Sequence, residues 1–176
     1  MILTLVFLLL AVILVVVQTT VLQFLPGGFA RPDLAFLLVA FAAYRLPWIP
    51  GILVVFTVGW VFDVVAGINL GIYPLEFLFV YISLKVVTLN SPVKESVYQI
   101  PMVGLSYFLL QMIVYFLSSL TLDHAIPQWS WGNVAQETVL LVLAAIPCFV
   151  LFNSLYEYLQ MRIARSRPAR RVRKRL

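Results

Sequence analysis

The chain has 176 residues, of which 63% are hydrophobic and 11% are charged, and its formal net charge is +5. Soluble domains are about 45–50% apolar and about 25% charged, so this composition excludes a water-soluble globule. At roughly 20 apolar residues per membrane-crossing helix, the length allows six or seven such helices and little else. The composition therefore predicts an integral membrane protein.

Apolar stretches separated by short polar connections predict an all-α integral membrane protein, a bundle of six transmembrane helices. The predicted spans are Ile2–Leu22, Pro32–Arg45, Pro50–Ala66, Ile72–Leu89, Val97–Leu122 and Val134–Tyr158. The second span is about 21 Å long at the helical rise, which is short for a bilayer core of about 30 Å. The transmembrane domain is expected to cover residues 1–160, followed by a basic tail over residues 161–176.

Two residue types that often carry chemistry occur only once each, as Cys148 and His124. A single cysteine excludes an intramolecular disulfide and a thiolate cluster, and a lone histidine is a poor metal site. The sequence also contains no glycine-rich phosphate loop and no G-x-S-x-G or H-E-x-x-H motif. We therefore expect no metal, no cofactor and no catalytic residue.

Basic residues are concentrated at the C-terminus, which holds eight of the twelve. These eight are Arg162, Arg165, Arg167, Arg170, Arg171, Arg173, Lys174 and Arg175. Cytoplasmic segments of membrane proteins are enriched in Lys and Arg, so the tail is expected to be cytoplasmic. With six spans both termini are then cytoplasmic, and Arg45, Lys85 and Lys94 face the same side, whereas only Arg31 faces out.

The function of the tail stays open between three interpretations that do not exclude one another. It sets the orientation of the protein, it attracts anionic lipid at roughly 1 kcal/mol per basic residue, or it docks to an acidic cytoplasmic partner. Binding to nucleic acid is not expected, because a basic tail on a membrane protein indicates orientation first.

Ionisable residues at membrane depth cost about 2.5–3.5 kcal/mol to insert, so they are the first candidates for function. Asp63 lies four residues from both Gly59 and Gly67, which places all three on one helix face. Glycines at this spacing allow another helix backbone to approach closely. Asp63 is expected either to make a polar contact across a tight helix junction or line a polar cavity, or to be an end-of-helix carboxylate that reaches the headgroup region.

Three other polar positions near the same side of the membrane are candidates for helix packing or partner contacts. Glu76 lies one turn into the fourth span, where the helix dipole favours a carboxylate, and it either stabilises that helix end or contacts a partner or ligand. Gln18 and Thr19 form a polar end of the first span, suited to hydrogen bonds between helices or to an interfacial helix end. Asp33 lies in the first turn of the second span.

The segments Pro32-Asp33 and Gly59-x-x-x-Asp63-x-x-x-Gly67-x-x-Leu70-Gly71 resemble the bacterial rod shape-determining protein family MreD. Gln18-Thr19, the chain length, the six spans and the short loops also fit this family. The specific residues of the resemblance are confined to about residues 18–71. Val55 is a departure, since family members often have a glycine there, and the arginine-rich tail is not typical of the family.

The resemblance implies a non-catalytic component of the bacterial inner membrane that maintains rod cell shape as part of the wall-elongation complex. It implies binding to the single-span protein MreC, and through it to a peptidoglycan polymerase–transpeptidase pair and to MreB filaments. It also implies a fold similar to the substrate-binding subunits of energy-coupling-factor transporters. The candidate residues for helix packing or a partner interface are Gln18, Thr19, Asp33, Gly59, Asp63, Gly67 and Gly71, which lie within the resembling segment, and Glu76, which is selected from its position in the fourth span alone.

Two other functions compete with the scaffold. A substrate-binding subunit of an energy-coupling-factor vitamin transporter would use a polar cavity near Asp63 and Glu76. Such subunits usually present small residues four apart on the first helix, whereas residues 8–15 here contain one alanine. An intramembrane enzyme would need a reactive constellation at membrane depth, for which Asp63 and Glu76 are the only pair.

Overall fold

The computed structural model of the chain describes residues 2–21, 33–66, 71–90, 96–121 and 130–165. These residues form six helices and no strand: α1 (Ile2–Val21), α2 (Leu34–Arg45), α3 (Trp48–Ala66), α4 (Ile72–Asn90), α5 (Ser96–Thr121) and α6 (Trp131–Arg165). The predicted all-α bundle is confirmed. The predicted span boundaries hold to within three residues except at the end of α6, which continues into the segment expected to be tail.

Five of the six helices are long and apolar enough to cross a membrane, and α2 is the exception. The protein is therefore a multi-pass membrane protein. The twelve residues of α2 give a helix of about 18 Å, well short of a bilayer core of about 30 Å. The 35 residues of α6 give about 52 Å, so this helix extends beyond the hydrocarbon core.

The short helix α2 forms the centre of the bundle. It contacts all five other helices, which surround it in the order α1, α3, α4, α5, α6. Nine consecutive residues, from Ala35 to Ala43, are at most 1% exposed. A helix that is apolar on every side is stable only where other helices cover its whole circumference. The long helices supply this cover and present their outer faces to lipid.

Successive helices run in opposite directions, so the bundle has two ends. A hydrogen bond from Gln18 to Asp33 joins the C-terminus of α1 to the N-terminus of α2. We call this the Asp33 end, and it also holds the C-terminus of α3 and the N-terminus of α4. At the opposite end, Lys85 of α4 binds the C-terminus of α2. We call that the Lys85 end.

Aromatic side chains fill the core towards the Lys85 end. The ring of Phe41 in α2 stacks on Phe7 of α1 with 5.8 Å between centroids. Three rings of α6 surround Phe41 from the other side at 5.4–6.4 Å: Phe149, Phe152 and Tyr156. Aromatic pairs contribute about 0.5–1.5 kcal/mol beyond the burial of their surface, so this cluster ties α1 and α6 to the central helix.

Candidate functional site at the ends of the central helix

The N-terminus of α2 is capped by two of the residues selected from the sequence. Asp33 is the N-cap residue, and its Oδ1 accepts a hydrogen bond from the backbone N–H of Phe36 at 3.0 Å. Gln18 of α1 donates from Nε2 to the same oxygen at 3.0 Å and accepts from the N–H of Ala35 at 2.9 Å. Two N–H groups without a partner inside the helix are thereby satisfied, which is essential where no water is available.

The C-terminus of α2 is capped by a lysine from another helix. Lys85 Nζ donates to the carbonyl oxygens of Ala43 at 2.9 Å and of Leu46 at 2.6 Å. The distribution of basic residues predicts that Lys85 faces the cytoplasm. In the structure its side chain is buried within the bundle, and 8% of the residue is exposed. Its ammonium group replaces water as the partner of carbonyls that the helix itself cannot satisfy. The signal that could have revealed it is a lone lysine within an apolar span.

The two caps match the electrostatics of α2. A carboxylate lies at the positive end of the helix dipole and an ammonium group at the negative end. The cap at the Asp33 end consists of Asp33, directly before α2, and Gln18 of the preceding helix α1, whereas the Lys85 cap comes from a residue 39 positions away from Leu46. The central helix is therefore fixed along its axis by polar contacts from α1 at one end and from α4 at the other.

Asp63 closes the junction between α3 and α4. Its carboxylate accepts hydrogen bonds from the backbone N–H groups of Gly71 and of Tyr73, the latter at 3.2 Å. Gly71 has a φ of +101°, a backbone conformation that favours glycine, and this turns the chain so that its N–H points at Asp63. The carboxylate therefore caps the N-terminus of α4.

Gly59 lies where the backbones of α3 and α4 cross. A Cβ atom built on Gly59 would lie 2.7 Å from the backbone nitrogen of Pro74, so no larger residue fits without displacing α4. Gly51 lies two turns earlier on the same face. A Cβ atom built on it would lie 2.7 Å from Cζ of the Tyr81 side chain. Gly51 was not selected from the sequence, although its spacing of eight residues from Gly59 indicates that the two glycines lie on similar faces of the helix. This glycine face packs within the chain.

A second group of polar residues lies beside the N-terminus of α2. The hydroxyl of Tyr107 in α5 accepts from Gln111 Nε2 at 2.8 Å and donates to Glu137 Oε2 in α6 at 3.4 Å. Its ring meets Phe36 of α2 with 5.1 Å between centroids. Glu137 was not selected from the sequence.

Acidic residues from three parts of the chain lie at the Asp33 end. Asp33 directly precedes α2, Glu76 lies in the second turn of α4, and Glu137 lies in the second turn of α6. Glu137 is linked to the first turns of α2 through Tyr107, whose ring packs on Phe36. These carboxylates suit a polar or cationic ligand.

The remaining selected residues lie apart from these groups or outside the described residues. The Thr19 hydroxyl donates to the carbonyl of Val15 in its own helix at 2.8 Å, so it takes no part in the cap. Gly67 and the tail residues beyond Arg165 are not within the described residues. Arg162 lies in α6 with its guanidinium 5.4 Å from the centroid of the Tyr158 ring, and Arg165 ends that helix.

Within the described ranges, no group of three or more His, Cys, Asp or Glu side chains is arranged to hold a metal ion. A scan of protein-family models, a search of curated proteins and a search of solved structures each found no match to this chain. The resemblance to transporter substrate-binding subunits therefore stays a prediction, as does the family of the chain.

Proposed function

We propose that this protein is a non-catalytic scaffold of the bacterial inner membrane that serves the wall-elongation complex and maintains rod cell shape. It binds a single-span MreC-type protein and through it joins a peptidoglycan polymerase–transpeptidase pair and MreB filaments. Both termini face the cytoplasm, in line with the distribution of basic residues. The observation that carries the proposal is that the motif residues Gln18, Asp33, Gly59 and Asp63 hold the bundle together.

These contacts support a scaffold because they use the polar groups that a catalyst would need to keep available. Both oxygens of the Asp63 carboxylate accept backbone N–H groups of the α4 turn. Asp33 and Gln18 satisfy each other and the first turn of α2. A rigid bundle with capped helix ends provides a fixed surface to partner helices.

The partner helix needs a surface other than the Gly59 face, because α4 already covers it. A groove of about 260 Å³ between α4 and α5 offers one. Its lining is almost entirely apolar and includes the small residues Ser83 and Ser106, which let a neighbouring helix approach closely. The single transmembrane helix of the MreC-type partner binds in this groove.

The first experiment is gentle purification of the protein from its native membrane, with partners identified by mass spectrometry. An MreC-type protein together with wall synthases is the expected result. Paired ATPase subunits with a large coupling protein would overturn the scaffold and assign the chain to a vitamin transporter. Recovery of neither set of partners would also contradict the proposal.

A matched pair of variants tests the groove. Leu105 lies in the groove and is 54% exposed, so Leu105→Trp fills it without disturbing the core. Leu151 of α6 is 67% exposed and lies outside the groove, so Leu151→Trp is the control. Leu105→Trp should abolish recovery of the MreC-type protein, and Leu151→Trp should preserve it. Equal recovery with both variants would place the partner elsewhere.

The acidic group at the Asp33 end favours a second candidate function, the vitamin-binding transporter subunit. Glu76, Glu137 and Tyr107 could hold a small polar or cationic molecule near the end of the bundle. Tight binding of a vitamin to the purified chain, lost in Glu76→Gln, would support this function against the scaffold.

A further inference from the structure

A cleft of about 240 Å³ opens between α5 and α6 at the Lys85 end, with α2 as its floor. On α2 and on α6, the polar lining residues lie nearer the end of the bundle than the apolar ones. The lining residues are Phe41, Arg45, Gln99, Ile100, Ile146, Phe149, Val150, Asn153 and Ser154. The cleft is therefore polar at its mouth and apolar towards the middle of the membrane, as a phospholipid is.

A cation lies at the mouth of the cleft. Arg45 is exposed, and among the described residues it makes no hydrogen bond and no ion pair. Lys85, which lies at the same end of the bundle, is already bound to the carbonyls of Ala43 and Leu46. The Arg45 guanidinium is thus available to bind an anion, and its planar donor groups match two oxygens of a phosphate.

A buried acceptor lies beside that cation. The Asn153 side chain lines the cleft, and its Oδ1 is buried with no hydrogen-bond partner in the part of the chain that the structure describes. The amide nitrogen of the same side chain donates to Glu157 at 2.8 Å, which fixes which atom is left unsatisfied. A buried acceptor without a partner is unfavourable, so a hydroxyl donor from a ligand is favoured here.

We propose that this cleft binds one molecule of phosphatidylglycerol. The phosphate lies against Arg45, a hydroxyl of the glycerol headgroup donates to Asn153 Oδ1, and one acyl chain lies against Ile146, Phe149 and Val150. A zwitterionic phosphatidylcholine headgroup lacks both the net negative charge and the hydroxyl donor. The site is independent of any partner protein.

The test is native mass spectrometry of the full-length chain in detergent with equal amounts of synthetic phosphatidylglycerol and phosphatidylcholine. The wild type should retain one phosphatidylglycerol in preference to phosphatidylcholine. Arg45→Gln should reduce that preference roughly fivefold. Arg162→Gln removes the same charge from a residue of α6 outside the cleft and should leave the preference unchanged.

Two further comparisons test the rest of the site. Ile146→Trp fills the cleft and should abolish retention, whereas Leu143→Trp, at an equally lipid-exposed position outside the cleft, should not. Phosphatidylethanol has the same charge as phosphatidylglycerol but no free hydroxyl, and the wild type should retain it less well.

Each contrary result overturns a defined part of the proposal. A preference for phosphatidylglycerol that survives Arg45→Gln would assign lipid binding to the basic tail, which Arg45→Gln leaves intact. Equal retention of phosphatidylglycerol and phosphatidylethanol would remove Asn153 from the headgroup site. No preference in the wild type, or equal losses in both tryptophan variants, would show that the cleft is not a lipid site.

Discussion

The two ends of the bundle are held together in different ways. At the Asp33 end, side-chain amides and carboxylates bind backbone N–H groups, and α3 and α4 cross with backbone against backbone at Gly59. At the Lys85 end, aromatic rings surround Phe41 and a single ammonium group binds two carbonyls. A short buried helix therefore needs a polar cap at each end, and different residue types can supply it.

The largest expected effect is that of Gly59→Leu at the Asp33 end. The backbone of Pro74 occupies the space of any side chain at this position, so α3 and α4 must separate, at a cost of about 3 kcal/mol or more. Thermal unfolding in detergent measures this loss. Gly132→Leu is the matched control, because Gly132 is exposed at the start of α6 and a Cβ atom there would meet, among the described residues, Ser130 Oγ alone, at 3.9 Å.

The same substitution tests the scaffold in cells. Gly59→Leu and Gly67→Leu should each weaken assembly of the complex, so cells carrying either variant should lose rod shape. Normal assembly and normal rod shape in both variants would refute the idea that this helix face organises the bundle.

Lys85→Met should give the next largest effect, at the other end. It leaves the carbonyls of Ala43 and Leu46 without a donor in the core, at a cost of about 2 kcal/mol. Arg45→Met removes a cation from the same end that binds no described residue, and it should change the unfolding midpoint little. Equal midpoints for the two variants would show that the Lys85 cap contributes nothing.

Loss of the Asp33 cap should cost less stability than loss of the Lys85 cap, and the effects of its two residues should be coupled. Asp33→Ala and Gln18→Leu should each cost about 1 kcal/mol, the usual effect of losing an N-cap. The double variant should cost less than the sum, because both residues share one hydrogen bond. A double-mutant cycle of unfolding free energies measures this coupling, and strict additivity would mean that Gln18 and Asp33 act separately.

The smallest effect is expected from Thr19→Val. The Thr19 hydroxyl binds only carbonyls of its own helix, and valine has the same shape, so stability should change by about 0.5 kcal/mol or less. Partner recovery should also be normal. A loss of partner with unchanged stability would instead assign Thr19 to an interface outside the bundle.

Much of the candidate site could be selected from the sequence, because polar residues in apolar spans are conspicuous. Asp33, Gln18 and Asp63 were selected in this way and Gly59 by its spacing from Asp63, and all four make contacts within the bundle. Lys85 was assigned to orientation alone and Glu137 was missed. Their partners lie 39 and 30 residues away in the sequence, and no local pattern indicates contacts over such distances.

The sequence by itself determined that this is a helical membrane protein. Runs of apolar residues long enough to cross a bilayer can satisfy their backbone only as helices, so the number of these helices and most of their bounds follow from composition and length. Only the tertiary structure decided that the shortest helix lies at the centre, with its ends capped by α1 and α4. The reason is physical, since burial on all sides and capping from distant helices are properties of the packed bundle and leave no period in the local sequence.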